Sequence, residues 1–228
     1  MKKRIGILVR GILDLVYPPD PEPRELRRIQ MPYCQLCGEP VAGVLDAAYE
    51  CSNCAGRRWH IRRARACYRA EGDVLDWIHH CKYGSQWHRL PQLASWLVEG
   101  FEQHYASDGV DVLVPVPLHW TRFWRRGFNQ SRELARMLSK QTGVPVRDLL
   151  IRRKATRVQA SLSRSERLRN CRAAFAPAKR AFDVTGLRLL IIDDVFTTGS
   201  TVNACARILR RQGAADVAVL TVARGGSQ

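Results

Sequence analysis

The chain has 228 residues, room for one full domain and a small appendage if a domain takes roughly 150. Hydrophobic residues at 46% and charged residues at 25% match a globular composition and exclude a wholly disordered chain. Lys and Arg outnumber Asp and Glu by 37 to 21, and the net charge of +16 favours polyanions or phosphorylated ligands.

No apolar run approaches the roughly 18 residues of a membrane span. Arg10 and Asp14 interrupt the apolar stretch of Met1–Val16, so a cleaved signal peptide is not expected and a cytoplasmic protein is. Residues 1–30 read as an arm. Ile5, Leu8, Val9, Ile12 and Val16 fall at helical spacing, and Tyr17-Pro18-Pro19 ends that helix before an extended, proline-rich linker.

Residues 31–58 hold Cys34, Cys37, Cys51 and Cys54, two CxxC pairs separated by thirteen residues. Without an export signal, such pairs indicate a metal before they indicate disulfides. Four thiolates suit a tetrahedral, structural Zn²⁺, and Gly38 after Cys37 suits the positive φ of a metal knuckle. A redox dithiol and an iron–sulfur cluster are the alternatives.

Residues 64–228 alternate helical and strand patterns. Val74, Trp77, Ile78 and Cys81 mark one helical face, and Leu90, Leu93, Leu97 and Phe101 another. Val110–Val116 is an apolar strand, followed by a helix from about Asn129 to Lys140. Leu187–Ile192 and Val217–Val222 are strands, with a helix over Thr201–Gln212 between them. This alternation predicts an α/β fold, a mainly parallel sheet with helices on both faces.

Ligands of open parallel sheets bind at the carboxyl ends of strands. At such an end stand Asp193 and Asp194, then Thr197, Thr198, Gly199, Ser200 and Thr201, then a helix. Loop N–H groups, hydroxyls and the helix N-terminus make an anion cradle. Two carboxylates beside a phosphate need another task, either accepting hydrogen bonds from sugar hydroxyls or holding Mg²⁺. The plain alternative is an acidic cap on an ordinary helix. No GxxxxGK[ST] motif is present, which counts against a Walker-type nucleotidase.

Residues 152–180 carry ten basic side chains against one acid, Glu166, and read as a cationic lid, a solvated loop or a nucleic-acid patch. Arg57, Arg58, Arg62, Arg63, Arg65 and Arg69 form a second basic cluster. Trp120 and Trp124, beside arginines, offer faces on which bases can stack. The six histidines carry no metal or catalytic pattern, and no residue reads as a general base.

The stretch from Leu189 to Thr201 resembles the 5-phosphoribosyl-1-pyrophosphate (PRPP) motif of type I phosphoribosyltransferases. The resemblance implies that Asp193 and Asp194 hold the ribose hydroxyls and that Thr197 to Thr201 wrap the 5-phosphate. Thr197 stands where purine-salvage members carry an acid, which argues against a purine acceptor.

Further motifs resemble the competence-associated ComF/ComFC family over residues 31–228. They are Cys81-Lys82-Tyr83-Gly84, Val114-Pro115-Val116-Pro117-Leu118-His119, Arg126-Gly127-Phe128-Asn129-Gln130 and Arg153-Lys154-Ala155-Thr156, besides the cysteine ribbon. The family resemblance implies a pyrophosphate loop at Pro115, Val116, Pro117, Leu118 and His119, and a catalytic loop containing Arg153 and Lys154. Lys82, Arg126, Asn129 and Gln130 are further site candidates. It also implies PRPP with Mg²⁺, and single-stranded DNA with a helicase-like competence partner. The competing reading is a non-catalytic nucleic-acid-binding or regulatory protein that keeps the fold as a PRPP or nucleotide sensor, including a GntX-like role.

Overall fold

The computed structural model describes residues 26–41, 43, 49–83, 87–154, 174–179 and 182–226. Its centre is a sheet of four parallel strands: β1 (Ala64–Arg69), β2 (Val112–Pro115), β5 (Arg188–Phe196) and β6 (Asp216–Arg224). Their spatial order is β1-β6-β5-β2. One row of register partners, Val114, Ile191, Val219 and Ala64, crosses the whole sheet. Strands covered on both faces are continuous apolar runs, and that is why Leu187–Ile192 is legible without alternation.

Side chains leave β5 alternately for two cores. Leu190 and Ile192 pack with α1 (Gly72–Tyr83), α2 (Leu90–His104) and α4 (Gln130–Thr142). The predicted faces of Val74, Trp77, Ile78 and Cys81, and of Leu90, Leu93, Leu97 and Phe101, are the buried ones. Leu189 and Ile191 face the other way, towards α5 (Ser200–Arg211) and the four cysteines. The ribbon is therefore part of the second core rather than an appendage hanging from the domain.

Three features depart from the sequence reading. β5 runs on to Phe196, so Asp193 and Asp194 lie within the strand, and Asp193 is in register with Thr221. A short helix, α3 (Trp120–Arg126), follows the β2 loop, with His119 capping its start. A two-stranded antiparallel sheet forms from β3 (Leu150–Arg152) and β4 (Phe175–Pro177). The end of the presumed linker is docked: Ile29 and Arg69 donate backbone hydrogen bonds across to Cys67 and Arg27, and so cover the outer edge of β1.

Candidate phosphate-binding site and metal centre

The acid pair sits where β5 meets the helical layer. Asp193 Oδ1 accepts a 2.7 Å hydrogen bond from the Ser131 hydroxyl at the start of α4. Asp194, buried, pairs at 2.9 Å with Nζ of Lys82 near the end of α1. Burial, and then the neighbouring Asp194 charge, push Asp193 up to about 7. Two adjacent acids thus share the carboxyl-terminal half of β5, with Lys82 paired to Asp194. Beside Ser131 lies Gln130, buried, with neither side-chain amide atom hydrogen-bonded. Buried amides are nearly always satisfied, so this one invites a polar ligand or water.

After Phe196 the chain turns sharply into α5. Gly199 has φ +68°, and a Cβ there would lie 2.5 Å from the Phe196 ring and 2.6 Å from that of Trp59. No other residue fits this turn. Thr197 and Thr198 are exposed, and the Thr198 and Ser200 hydroxyls lie 2.8 Å apart at the N-terminus of α5. The loop is held from behind by two arginines. Arg57 donates to the Thr198 carbonyl at 2.6 Å and stacks on Trp59, which in turn stacks on Phe196. Arg224, only 4% exposed, donates to the carbonyls of Phe196 and Thr197.

Arg224 also reaches the cysteine ribbon, through Glu39 and Cys37 Sγ. There the sulfurs of Cys34, Cys37, Cys51 and Cys54 all lie within 4.8 Å of one another, and all four residues are buried. A tetrahedral ion with bonds of about 2.3 Å sets its sulfurs about 3.8 Å apart, so the donor set fits a closed four-thiolate site. Gly38 has φ +68°, as its place in the knuckle predicts, and donates to the Cys34 carbonyl. Burial pushes the Cys54 thiol up to about 12, whereas hydrogen bonding with Cys37 pulls the Cys34 thiol down to about 4. The four buried sulfurs suit a structural metal ion.

Pro115 ends β2, and the Val116 backbone N–H donates to the Ile192 carbonyl, which brings the Pro115–His119 loop beside the acid pair's strand. Asn129 stands at the N-cap of α4 without a side-chain capping bond; its side chain donates instead to the Val116 carbonyl at 3.1 Å and so braces that loop. His119, buried, is spent on capping α3. Arg153 and Lys154 are exposed just after β3. Residues 155–173, which hold most of the basic segment, lie outside the described residues, as do Gly84 and Arg180.

Residues 93–228 match the phosphoribosyl transferase domain family. The chain is 34% identical over 203 residues to the DNA utilization protein YhgH of Salmonella typhimurium, covering 86% of each. It is 30% identical over 199 residues to Competence protein F of Haemophilus influenzae, covering 85% of each. With Competence protein ComFC of Bacillus subtilis it shares 30% over 207 residues, 88% of this chain and 81% of that one. The chain belongs to the ComF/ComFC family of phosphoribosyltransferase-fold proteins. Among solved structures, a purine phosphoribosyltransferase from Pyrococcus horikoshii aligns at 16% identity, with a TM-score of 0.39, over 60% of this chain and 74% of that one.

This ComF/ComFC chain uses its basic residues differently from the sequence expectation. Arg62 and Arg63 both pair with Asp108, and Arg62 also with Asp216. Arg65 is buried against the Gln35 carbonyl. These three thus have partners within the fold. Trp120 and Trp124 stay exposed, at 65% and 80%. Lys82, one candidate among several, proves to be a direct partner of the acid pair. Arg224 was missed altogether, because nothing in the strand pattern of Asp216–Arg224 marks its last residue as buried. Among the described residues no helix is long and apolar enough to cross a membrane.

Proposed function

We propose that this family member binds PRPP at the end of β5, with Asp193 and Asp194 on the ribose hydroxyls and residues 197–201 around the 5-phosphate. The observation that carries the reading is the coincidence, at one strand end, of an adjacent acid pair and a glycine turn opening a helix. The phosphate would gain the α5 N-terminus, where backbone N–H groups and the helix dipole favour an anion. The Mg²⁺ that accompanies such a ligand would find Asp193 and Asp194 as carboxylate donors, as is usual for Mg²⁺ shared with phosphates. The Pro115–His119 loop would face the pyrophosphate. In a transfer reaction, Arg153 and Lys154 would stabilise its departure from C1. No residue reads as a general base, so the proposal is of binding rather than of one particular transfer. Zn²⁺ is the proposed occupant of the four-cysteine site.

The relatives' names, Competence protein F, ComFC and DNA utilization protein, support a role in the uptake or use of DNA. Single-stranded DNA is accordingly proposed as a second ligand, favoured by the net charge of +16 and by the exposed Trp120 and Trp124.

The test is calorimetric titration with PRPP, with and without Mg²⁺. Asp193→Asn keeps the shape and removes a buried charge, so the variant should melt no earlier than the parent while losing most of its PRPP affinity. Ribose hydroxyls and Mg²⁺ need the ionised carboxylate, whereas Asp193 protonates below about pH 7. PRPP affinity of the parent should therefore rise from pH 6 to pH 8, and that rise should vanish in Asp193→Asn. A parent that binds no PRPP, or a variant that binds it as the parent does, sinks the assignment.

A further inference from the structure

A second concavity lies away from the acid pair. It is a groove of about 470 Å³ between α5 and the chain leaving the ribbon, lined by Arg57, Arg58, His60, Arg207, Arg210 and Arg211. Ser200, Asn203 and Ala204 complete its walls, and no Asp or Glu lines it. On the α5 side the lining residues recur at intervals of three and four, so one face of a twelve-residue helix, about 18 Å long, looks into the groove. Asn203 fixes the opposite wall: its side chain accepts from the His60 backbone N–H at 2.7 Å and donates to the Arg58 carbonyl at 3.1 Å. The groove is thus built by hydrogen bonds between sequence-distant segments. Five guanidinium groups in one concavity concentrate a positive field that a neutral or cationic ligand would not relieve.

We infer that this groove is a track for the phosphodiester backbone of single-stranded nucleic acid. The inference rests on the reading that such a strand is a ligand, and of the Arg57–Arg69 cluster it keeps Arg57 and Arg58 and adds the α5 arginines. Guanidinium groups suit phosphate oxygens through paired N–H donors. The groove opens at Ser200, the first residue of α5, so the strand would run away from the phosphate loop without occupying the acid pair.

The experiment uses the full chain loaded with zinc and a fluorescent thirty-nucleotide oligo(dT), with anisotropy measured across a salt series. Arg58→Gln, Arg207→Gln and Arg211→Gln are combined in one variant. Arg210 is left alone because it also bonds the Ala214 carbonyl behind the helix. A charge-matched control combines Arg136→Gln, Lys140→Gln and Arg147→Gln, all exposed elsewhere. Three lost phosphate contacts should reduce the log–log salt slope by about 2 and weaken binding roughly tenfold at moderate salt. The control should keep the parent slope, and circular dichroism should show both variants folded. Equal losses in groove variant and control would mean a diffuse field and overturn the groove. A groove variant that binds as the parent does would overturn it too. A parent that binds no oligonucleotide would bring down the single-stranded DNA reading itself.

Discussion

Two populations of arginine stand a few residues apart in sequence and behave oppositely. Arg62, Arg63 and Arg65, with Arg224, are turned inward onto Asp108, Asp216, Gln35 and Glu39. Arg57 and Arg58, with Arg207, Arg210 and Arg211, line a groove that no carboxylate enters. The difference arises from topology. Asp108 follows α2 and Asp216 opens β6, and the parallel sheet brings both to the start of β1. Pairing therefore offsets the charge of the first population within the fold. Net charge alone overstates the surface available to a polyanion, and its location depends on where the acids fall.

The strongest way to break this comparison is to take away what the inward arginines hold together. The four cysteines belong to the same core as Ile191 and Val219, so losing the metal should open one face of the sheet. Metal binding by such small modules supplies much of their folding energy. Chelation should lower Tm by more than about 10 °C, taking a loss of several kcal/mol at about 2–4 °C each for a chain of this size. Hydrogen exchange should quicken at residues 196–200, because Arg224 and Arg57 tie that loop to the ribbon. Unchanged exchange there would show that the ribbon and the phosphate loop are independent.

Next in size is Arg224→Met. It leaves Glu39 and two loop carbonyls without their buried donor, at a cost of about 3 kcal/mol in chemical denaturation. The metal content of the variant should stay at one ion per chain, since the four sulfurs remain. A loss below about 1 kcal/mol would show that burial of Arg224 contributes little and blur the distinction.

Much of the fold was legible in sequence because burial on both faces leaves continuous apolar strands, and the helices between them keep the 3.6-residue period. The cysteine ribbon and the Asp193–Thr201 stretch were legible because metal ligation and phosphate cradling demand fixed residue types at fixed spacing. β1 was not, since Ala64–Arg69 sets arginine and cysteine between alanines and Tyr68, and Arg65 is buried through distant partners such as the Gln35 carbonyl and the Tyr33 ring. The extension of β5 through the acid pair was hidden because two aspartates look like the end of a strand. Lys82 and Arg224 owe their roles to partners over a hundred residues away, beyond what local pattern can show. The groove is of the same kind: Asn203 gives no local sign of bonding the chain beside Arg58.

The smallest expected effect is the sharpest test of the two populations. Arg62→Gln with Arg63→Gln removes the same kind of charge as a groove variant, from the same stretch of chain. Arg62 is half exposed, so its pairs are partly screened, while Asp108 would lose both ionic partners at once. Denaturant unfolding should show a loss of about 1–2 kcal/mol, and Asp108→Asn should reproduce most of it. The salt slope of oligo(dT) binding should stay that of the parent, because these guanidinium groups already face carboxylates. Arg58→Gln with Arg211→Gln should do the reverse, shifting stability by no more than about 0.5 kcal/mol and the slope by about 1.4. If both double variants flatten the slope equally, pairing within the fold does not take an arginine out of reach of nucleic acid, and the distinction between the two populations fails.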